Sequence, residues 1–406
     1  GATKTQFGAP IASTLSSADP GLVFGDFNGD GRPDLFVRGQ PTLYRGQGDG
    51  SFRAAGAVPG SFSPWVAADF NGDGNLDIAG CMTLHSVGVA LGSGDLTFEM
   101  PIESPLPGIV SNGIEQGACE QFGFEVGDFN GDGTPDLVVT VILMNGLPDS
   151  WAVVLFGNGD GTFRAGPVQH VSGPGQYFAG LAVGDVDGDG KPDLLVATQG
   201  PLGDARTGTN SQIYLGRGDG TFGSPMPAAF PGFSAGLPIL AAMADFNGDG
   251  IRDIAVIPSG GLLVRVTRAF AIFPGNGDGT FRAATYGIDD PQLGVRGVAA
   301  GDLNGDNAPD LALGVSLVSP EGATVHRLRI LYGNGDGMMP GAVDYPLESD
   351  TYVQAIIDVN ADGLPDVVLR SGANVIVFLN TRRSFENINS FSAASHRSKT
   401  QSMRRI

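Results

Sequence analysis

Short apolar runs, each broken by a glycine-rich polar stretch, recur along the whole chain, with no long heptad pattern between them. Leu22 to Phe24 runs into a polar loop, Leu35 to Val37 leaves it, Thr42 to Tyr44 precedes a Gly-Asp-Gly turn, and a fourth run opens at Phe52. Short β-rich runs of this kind read as buried strands, and an Asn-Gly or Asp-Gly between apolar runs is the strongest short hairpin signal. One unit is therefore four antiparallel strands. The loop between its first two strands, DFNGDGRPDLFV from Asp26, is written again from Asp69, Asp128, Asp185, Asp245, Asp302 and Asp358, at intervals of 43, 59, 57, 60, 57 and 56 residues. Four strands repeated about every 55 residues are the pattern of a β-propeller blade, and seven blades close a ring. The expected fold is all-β: a seven-bladed propeller over residues 1–380.

The loop also has chemistry. Oxygen-bearing side chains stand at its first position (Asp26, Asp69, Asp128, Asp185, Asp245, Asp302, Asp358) and third (Asn28, Asn71, Asn130, Asp187, Asn247, Asn304, Asn360). They stand again at its fifth (Asp30, Asp73, Asp132, Asp189, Asp249, Asp306, Asp362) and ninth (Asp34, Asp77, Asp136, Asp193, Asp253, Asp310, Asp366). Ca2+ takes six to eight oxygen ligands, so alternate residues of a tightly curved loop can surround it; Mg2+, which keeps several waters and demands octahedral geometry, fits less well. The seventh position would offer its backbone carbonyl, which frees its side chain to vary: Arg32, Asn75, Thr134, Lys191, Ile251, Ala308, Leu364. A turn alone needs no acid at position nine, so up to seven Ca2+ sites are expected. Asn307 and Ala361 replace loop glycines in the sixth and seventh copies. The Gly-Asp-Gly of the second motif, as in LFGNGDGTF to Phe163, reads as a hairpin turn without metal.

Composition changes the picture in two places. The formal charge of −20 disfavours nucleic acid and acidic membranes as partners, but three acids in every loop, with Asp187 besides, account for 22 of the 43 Asp and Glu residues. Seven Ca2+ would leave about −6, so the acidity reads as metal binding. No apolar run reaches the roughly 18 residues of a membrane span, so no membrane insertion is expected. No signal peptide opens the sequence, and a secreted protein would here be a mature chain or a fragment.

The D-x-N-x-D-G-x-x-D loop followed by an apolar strand, together with GNGDGTF, resembles the FG-GAP or VCBS repeat family, which includes the integrin alpha-subunit head and a fungal seven-bladed lectin. The resemblance spans residues 7 to about 380. It implies a seven-bladed propeller with Ca2+ held between the first and second strands of each blade. The fold hosts adhesion receptors, lectins and some carbohydrate-cleaving enzymes, so it does not settle function.

Strand alternation puts the Ca2+ loops and Gly-Asp-Gly turns on one face. The other face carries the variable loops 198–212, 257–268 and 316–327 and the long crossover 99–124, where binding is expected. Just before the inner strands it should present Trp65, Phe122, Tyr177, Arg296 and Tyr352, which can stack on sugar rings or pack between blades. Cys81, read as lying in a loop of the second blade, and Cys119, in the crossover to the third, emerge on that face as neighbours and are expected to form a disulfide, which fits an extracellular compartment. Residues 5–13 should close the ring as the outer strand of the last blade, with Phe385 to Ser390 as the competing candidate. The basic, Ser-rich tail 381–406 shows no period and reads as a disordered segment or linker.

The reading these features support is a secreted or cell-surface binding module, monomeric, for carbohydrate or an extracellular protein. The alternatives are a lyase or dehydratase on the same scaffold and a structural segment of a larger surface protein. His85, His170, His326 and His396 are scattered without metal-ligand spacing, so no residue is marked as catalytic.

Overall fold

The computed structural model describes residues 6–16, 21–38, 40–60, 63–108, 110–111, 114–115, 118–145, 147–172, 177–199, 210–228, 237–259, 270–288, 293–318 and 323–381. Seven four-stranded antiparallel sheets account for nearly all strands. Blade 1 is Leu22–Gly25, Asp34–Val37, Thr42–Gly46 and Phe52–Ala57, in that order from inner to outer edge. Blades 2 to 6 repeat this order, with inner strands Ser63–Ala68, Ala118–Gly127, Tyr177–Gly184, Leu237–Ala244 and Leu293–Gly301. A small hairpin, Val110–Ser111 with Ile114–Glu115, is inserted between blades 2 and 3.

Blade 7 is assembled from both ends of the described chain. Tyr352–Ile357, Asp366–Ser371 and Asn374–Phe378 supply three strands, and Ile11–Thr14 pairs with Asn374–Phe378 as the fourth, in the register Ile11 with Val377 and Thr14 with Asn374. A bridge between Phe7 and Asn380 extends this contact. The strand thus covers 11–14, overlapping the C-terminal part of the expected segment 5–13 and running one residue past it. Phe385 to Ser390 and the rest of the tail beyond 381 lie outside the described residues.

Apolar runs rather than alternating strands are needed because each sheet is covered on both faces by its neighbours. Seven hydrophobic clusters fill the seven seams. Val66, Ala79 and Val89 of blade 2 meet Phe124, Val139 and Val153 of blade 3. At the closing seam Leu35, Val37 and Tyr44 of blade 1 meet Val368, Val375 and Val377 of blade 7, with Leu15 from the N-terminal segment.

Several hairpins run further than their apolar cores suggested. Segment 316–327, expected as a loop, is largely strand: Asp310–Val318 and Thr324–Tyr332 pair from Leu311 with Leu331 out to Val318 with Thr324. Polar residues such as Ser316 and His326 continue a ladder as well as apolar ones, since the backbone makes the bonds. Likewise Cys81 lies within the strand Asp77–Thr83 and Cys119 within Ala118–Gly127, rather than in a loop and a crossover. The segment 99–124 contains the outer strand of blade 2, Ile102–Pro105.

Candidate metal centres and the opposite face

All seven loops share one hydrogen-bond scheme. The first Asp accepts backbone N–H groups from the fifth and sixth positions; in the third loop Asp132 and Gly133 donate to Asp128 at 3.1 and 2.9 Å. The third side chain accepts the N–H of the fifth, as Asn130 does from Asp132 at 2.8 Å. The fifth Asp accepts the N–H of the seventh residue, as from Arg32, Asn75, Thr134, Lys191, Ile251, Ala308 and Leu364 at 2.8–3.0 Å. These bonds curl the loop and hold the oxygens; Asp128 Oδ1 also accepts from Gly131 at 2.7 Å and is fully used, while Asp128 Oδ2, Asn130 Oδ1 and Asp132 Oδ1 each accept one such bond and keep a second lone pair for a ligand.

The ninth Asp corrects one premise of the sequence reading, for the turn does use it. Asp136 is fully buried, its Oδ2 accepts the N–H of Phe129 at 3.0 Å, and its Oδ1 accepts that of Gly157 at 2.8 Å. The same two bonds recur at Asp34, Asp77, Asp193, Asp253 and Asp310, and at Asp366 with Asn380 in place of the glycine. The ninth acid therefore ties the loop to the end of the blade's third strand whether or not an ion is bound. Burial pushes the carboxyls of Asp34, Asp136, Asp193 and Asp366 up to about 6 and that of Asp310 to about 7; the backbone donors oppose this, and the loop's other acids add to it.

A cation would relieve that crowding. In the fourth loop, carboxylate oxygens of Asp185, Asp187 and Asp193 lie within 4.8 Å of one another. Oxygens on one Ca2+ at about 2.4 Å stand at most about 4.8 Å apart, so these three can share an ion. The other loops carry an amide in place of Asp187 and repeat the backbone scheme. The outer oxygen of the fifth Asp is paired with a surface cation in three loops: Arg45 with Asp30 at 2.8 Å, Lys191 with Asp189 at 2.6 Å and Arg282 with Asp249 at 3.0 Å. Asn307 and Ala361 adopt left-handed backbone at φ of 67° and 59°, taking the conformation that glycine holds in the other copies.

The Gly-Asp-Gly turns are structural. Asp160 Oδ1 accepts the N–H and the hydroxyl of Thr162, and the same pattern recurs at Asp49, Asp219 and Asp278. Four turns also reach the previous blade's loop: Leu96 donates to the Phe27 carbonyl at 3.2 Å, Gly161 to that of Phe70 at 3.2 Å, Gly220 to that of Phe129 at 2.8 Å and Gly337 to that of Phe246 at 2.9 Å.

On the opposite face, Trp65, Phe122 and Tyr177 lie on inner strands, and their side chains fall outside the described ones. Arg296 and Tyr352 come together, the guanidinium carbon 5.9 Å from the ring centroid. Sequence reasoning missed what joins them. Asp350, in the crossover from blade 6 to blade 7, stands 3.4 Å from Arg296 Nε through Oδ2 and accepts the Ser316 hydroxyl at Oδ1 at 3.1 Å. His326, opposite Ser316 in the hairpin, places Nδ1 3.0 Å from the same hydroxyl. The available signal was a Ser and a His at mirrored positions of one hairpin, which counting histidines singly does not detect. The Ser316 hydroxyl thus lies between Asp350 Oδ1, an acceptor, and His326 Nδ1, whose role toward it depends on the tautomer of the ring. His85 sits at an exposed turn and His170 stacks on Trp151 in the outer half of blade 3; His396 is outside the described residues.

Cys81 is disulfide-bonded, and the chain's one other cysteine is Cys119. No helix among the described residues is long and apolar enough to cross a membrane.

The FG-GAP-like repeat pattern matches residues 26–80, 69–139, 128–196, 203–256 and 245–313, most of the chain, and the protein belongs to that family. Comparison with curated proteins returns no match. Among solved structures, the chain is similar to BBS1N in its complex with ARL6DN, with 13% identity, a TM-score of 0.59, and coverage of 94% of this chain and 99% of that one. It is also similar to virginiamycin B lyase from Staphylococcus aureus, with 13% identity, a TM-score of 0.50, and coverage of 92% and 100%. At such identity these likenesses concern the fold alone. The family and the fold fit a binding or structural module.

Proposed function

We propose that this protein is a calcium-stabilised extracellular binding module that holds a carbohydrate or a protein partner on the face opposite its metal loops. The observation that carries the metal half is the shared backbone scheme of seven oxygen-rich loops, together with the carboxylates of Asp185, Asp187 and Asp193 in the fourth, which lie within 4.8 Å of one another. Carboxylates this close repel one another by on the order of 1–4 kcal/mol per pair, and a bound cation removes that cost. At a Kd of about 0.1 mM and about 1 mM Ca2+, each filled site stabilises the fold by roughly 1.4 kcal/mol. The metal loops and their turns occupy one face of the ring, which leaves the other for a partner. An extracellular setting supplies both millimolar Ca2+ and the oxidising conditions that a disulfide at Cys81 needs.

Two measurements test this reading. Thermal melting with and without EDTA should show a large calcium-dependent rise in Tm, and an unchanged Tm would overturn the structural role of the ion. A glycan array and a panel of extracellular proteins, probed in about 1 mM Ca2+, should return a partner; silence across both would favour the purely structural alternative.

A further inference from the structure

The seam between blades 6 and 7 on the metal-free face holds side chains from separate segments that have no counterpart in the metal loops. Arg296 comes from the bulge between Val295 and Val298 in the inner strand of blade 6, Ser316 and His326 from that blade's central hairpin, Asp350 from the crossover, and Tyr352 from the start of blade 7. We infer that this cluster is a binding subsite for one unit of a neutral saccharide; the inference rests on the reading of the protein as a binding module.

The groups are held ready. Ser371 donates to the Asp350 carbonyl at 2.8 Å and shares a hydrogen bond with Ser349, so the crossover backbone is fixed from blade 7. On the other side the crossover lies against Gly314, where a Cβ would come within 2.5 Å of the Thr351 carbonyl. A binding group that is already fixed loses little freedom when its ligand arrives.

Ligand-binding capacity is nevertheless left over. Tyr352 keeps 41% of its surface exposed, and the side chains of Asp350 and Arg296 keep 40% and 32%. A large aromatic ring left open beside a carboxylate and a guanidinium matches a sugar ring. The C–H face of the sugar packs on Tyr352, one hydroxyl donates to Asp350, and its neighbour accepts from Arg296.

Charge selects against other ligands. An incoming carboxylate or phosphate would meet Asp350 beside the guanidinium, and a cation would meet Arg296 beside the carboxylate. An apolar group would desolvate both without offering either a hydrogen bond. A neutral polyol satisfies both at once.

The test uses the full chain in Ca2+, with an array of neutral oligosaccharides and, in solution, methyl glycosides of galactose, mannose and N-acetylglucosamine followed by NMR. The wild type should bind at least one of them. Tyr352→Ala and Asp350→Asn should each weaken that binding at least tenfold with Tm unchanged, whereas Tyr352→Phe should keep it. If Asp350→Asn loosens the crossover and lowers Tm, Tyr352→Ala decides, because that side chain is exposed. Unchanged affinity in Tyr352→Ala overturns the assignment, as does a wild type that binds no neutral saccharide or only charged ones. A wild type that binds a protein partner and no saccharide would overturn this subsite and leave the broader binding-module reading standing.

Discussion

At the scale of single residues, most of the loop's geometry is set by steric demands that can be tested one side chain at a time. Gly157 donates its N–H to Asp136, and a Cβ there would lie 2.3 Å from the Pro135 carbonyl; Gly46, Gly92, Gly216, Gly275 and Gly333 face the same carbonyl in their blades. Gly157→Ala must therefore move backbone, and should cost more than about 2 kcal/mol in a urea melt. Ala361 shows the opposite case: at φ of 59° it occupies backbone that disfavours a Cβ by about 1–2 kcal/mol. Ala361→Gly should raise stability by up to about 1 kcal/mol, since glycine's own entropy offsets part of the gain. Glu125, partly buried on the inner strand of blade 3, has its carboxyl pushed up to about 7 by burial, opposed by the charge of Arg38. Because the folded state holds this proton more tightly than the unfolded chain, the stabilising contribution is full below the ordinary glutamate range and is lost as pH rises towards 7. Glu125→Gln should flatten that slope and gain about 1–3 kcal/mol above it, read as the urea midpoint across pH 4.5 to 8.

At the scale of elements, strands, turns and the order of the blades were legible because each is written in backbone chemistry that repeats: an apolar run, a glycine at positive φ, an Asp that accepts a neighbouring N–H. What was not legible is where a strand stops. Ser316–Leu317–Val318 and Thr324–Val325–His326 carry no apolar run, yet they pair to the end of their hairpin because the ladder is made by the backbone. The same limit hid Asp350, whose importance comes from the elements that meet around it and from no motif of its own. Position nine was legible as a conserved function within the repeat but not as to which function, since Asp136 serves the turn through both oxygens before any ion is considered. Cys81 pairs with Ser63 and Val87 inside blade 2, and Cys119 lies opposite Val141 at the inner edge of blade 3, so a bridge between them would join two facing sheets. Linking two positions 38 apart in sequence would stabilise by about 4 kcal/mol in the chain-entropy model. Titration of the unfolded, unreduced protein should find no free thiol, and reduction should lower the urea midpoint; two titratable thiols would remove the bridge and its support for an extracellular setting.

At the scale of the whole molecule, the ring depends on a strand that arrives from the far end of the sequence. Six seams are made by blades consecutive in the chain, but the seam between blades 7 and 1 also needs Ile11–Thr14, which gives blade 7 its outer strand and covers an edge that would otherwise be free to pair with another chain. The strand is anchored beyond its ladder. Phe7 packs edge-on against Tyr345 at 5.3 Å and Phe378 at 6.2 Å, and Leu15 is buried with Val375 and Val377. Ser13 Oγ also accepts the Phe52 N–H of blade 1 at 2.8 Å, so one short segment touches both sides of the closure. Burying Phe7 and Leu15 alone contributes about 3–6 kcal/mol. A chain beginning at residue 17 should accordingly lose several kcal/mol in urea and gain a tendency to self-associate through the bared edge of Asn374–Phe378. A synthetic peptide of residues 6–16 added in excess should restore the midpoint, because the strand is held by non-covalent contacts that a free segment can also make. An unchanged midpoint in the shortened chain would mean that blades 7 and 1 hold the ring closed without it.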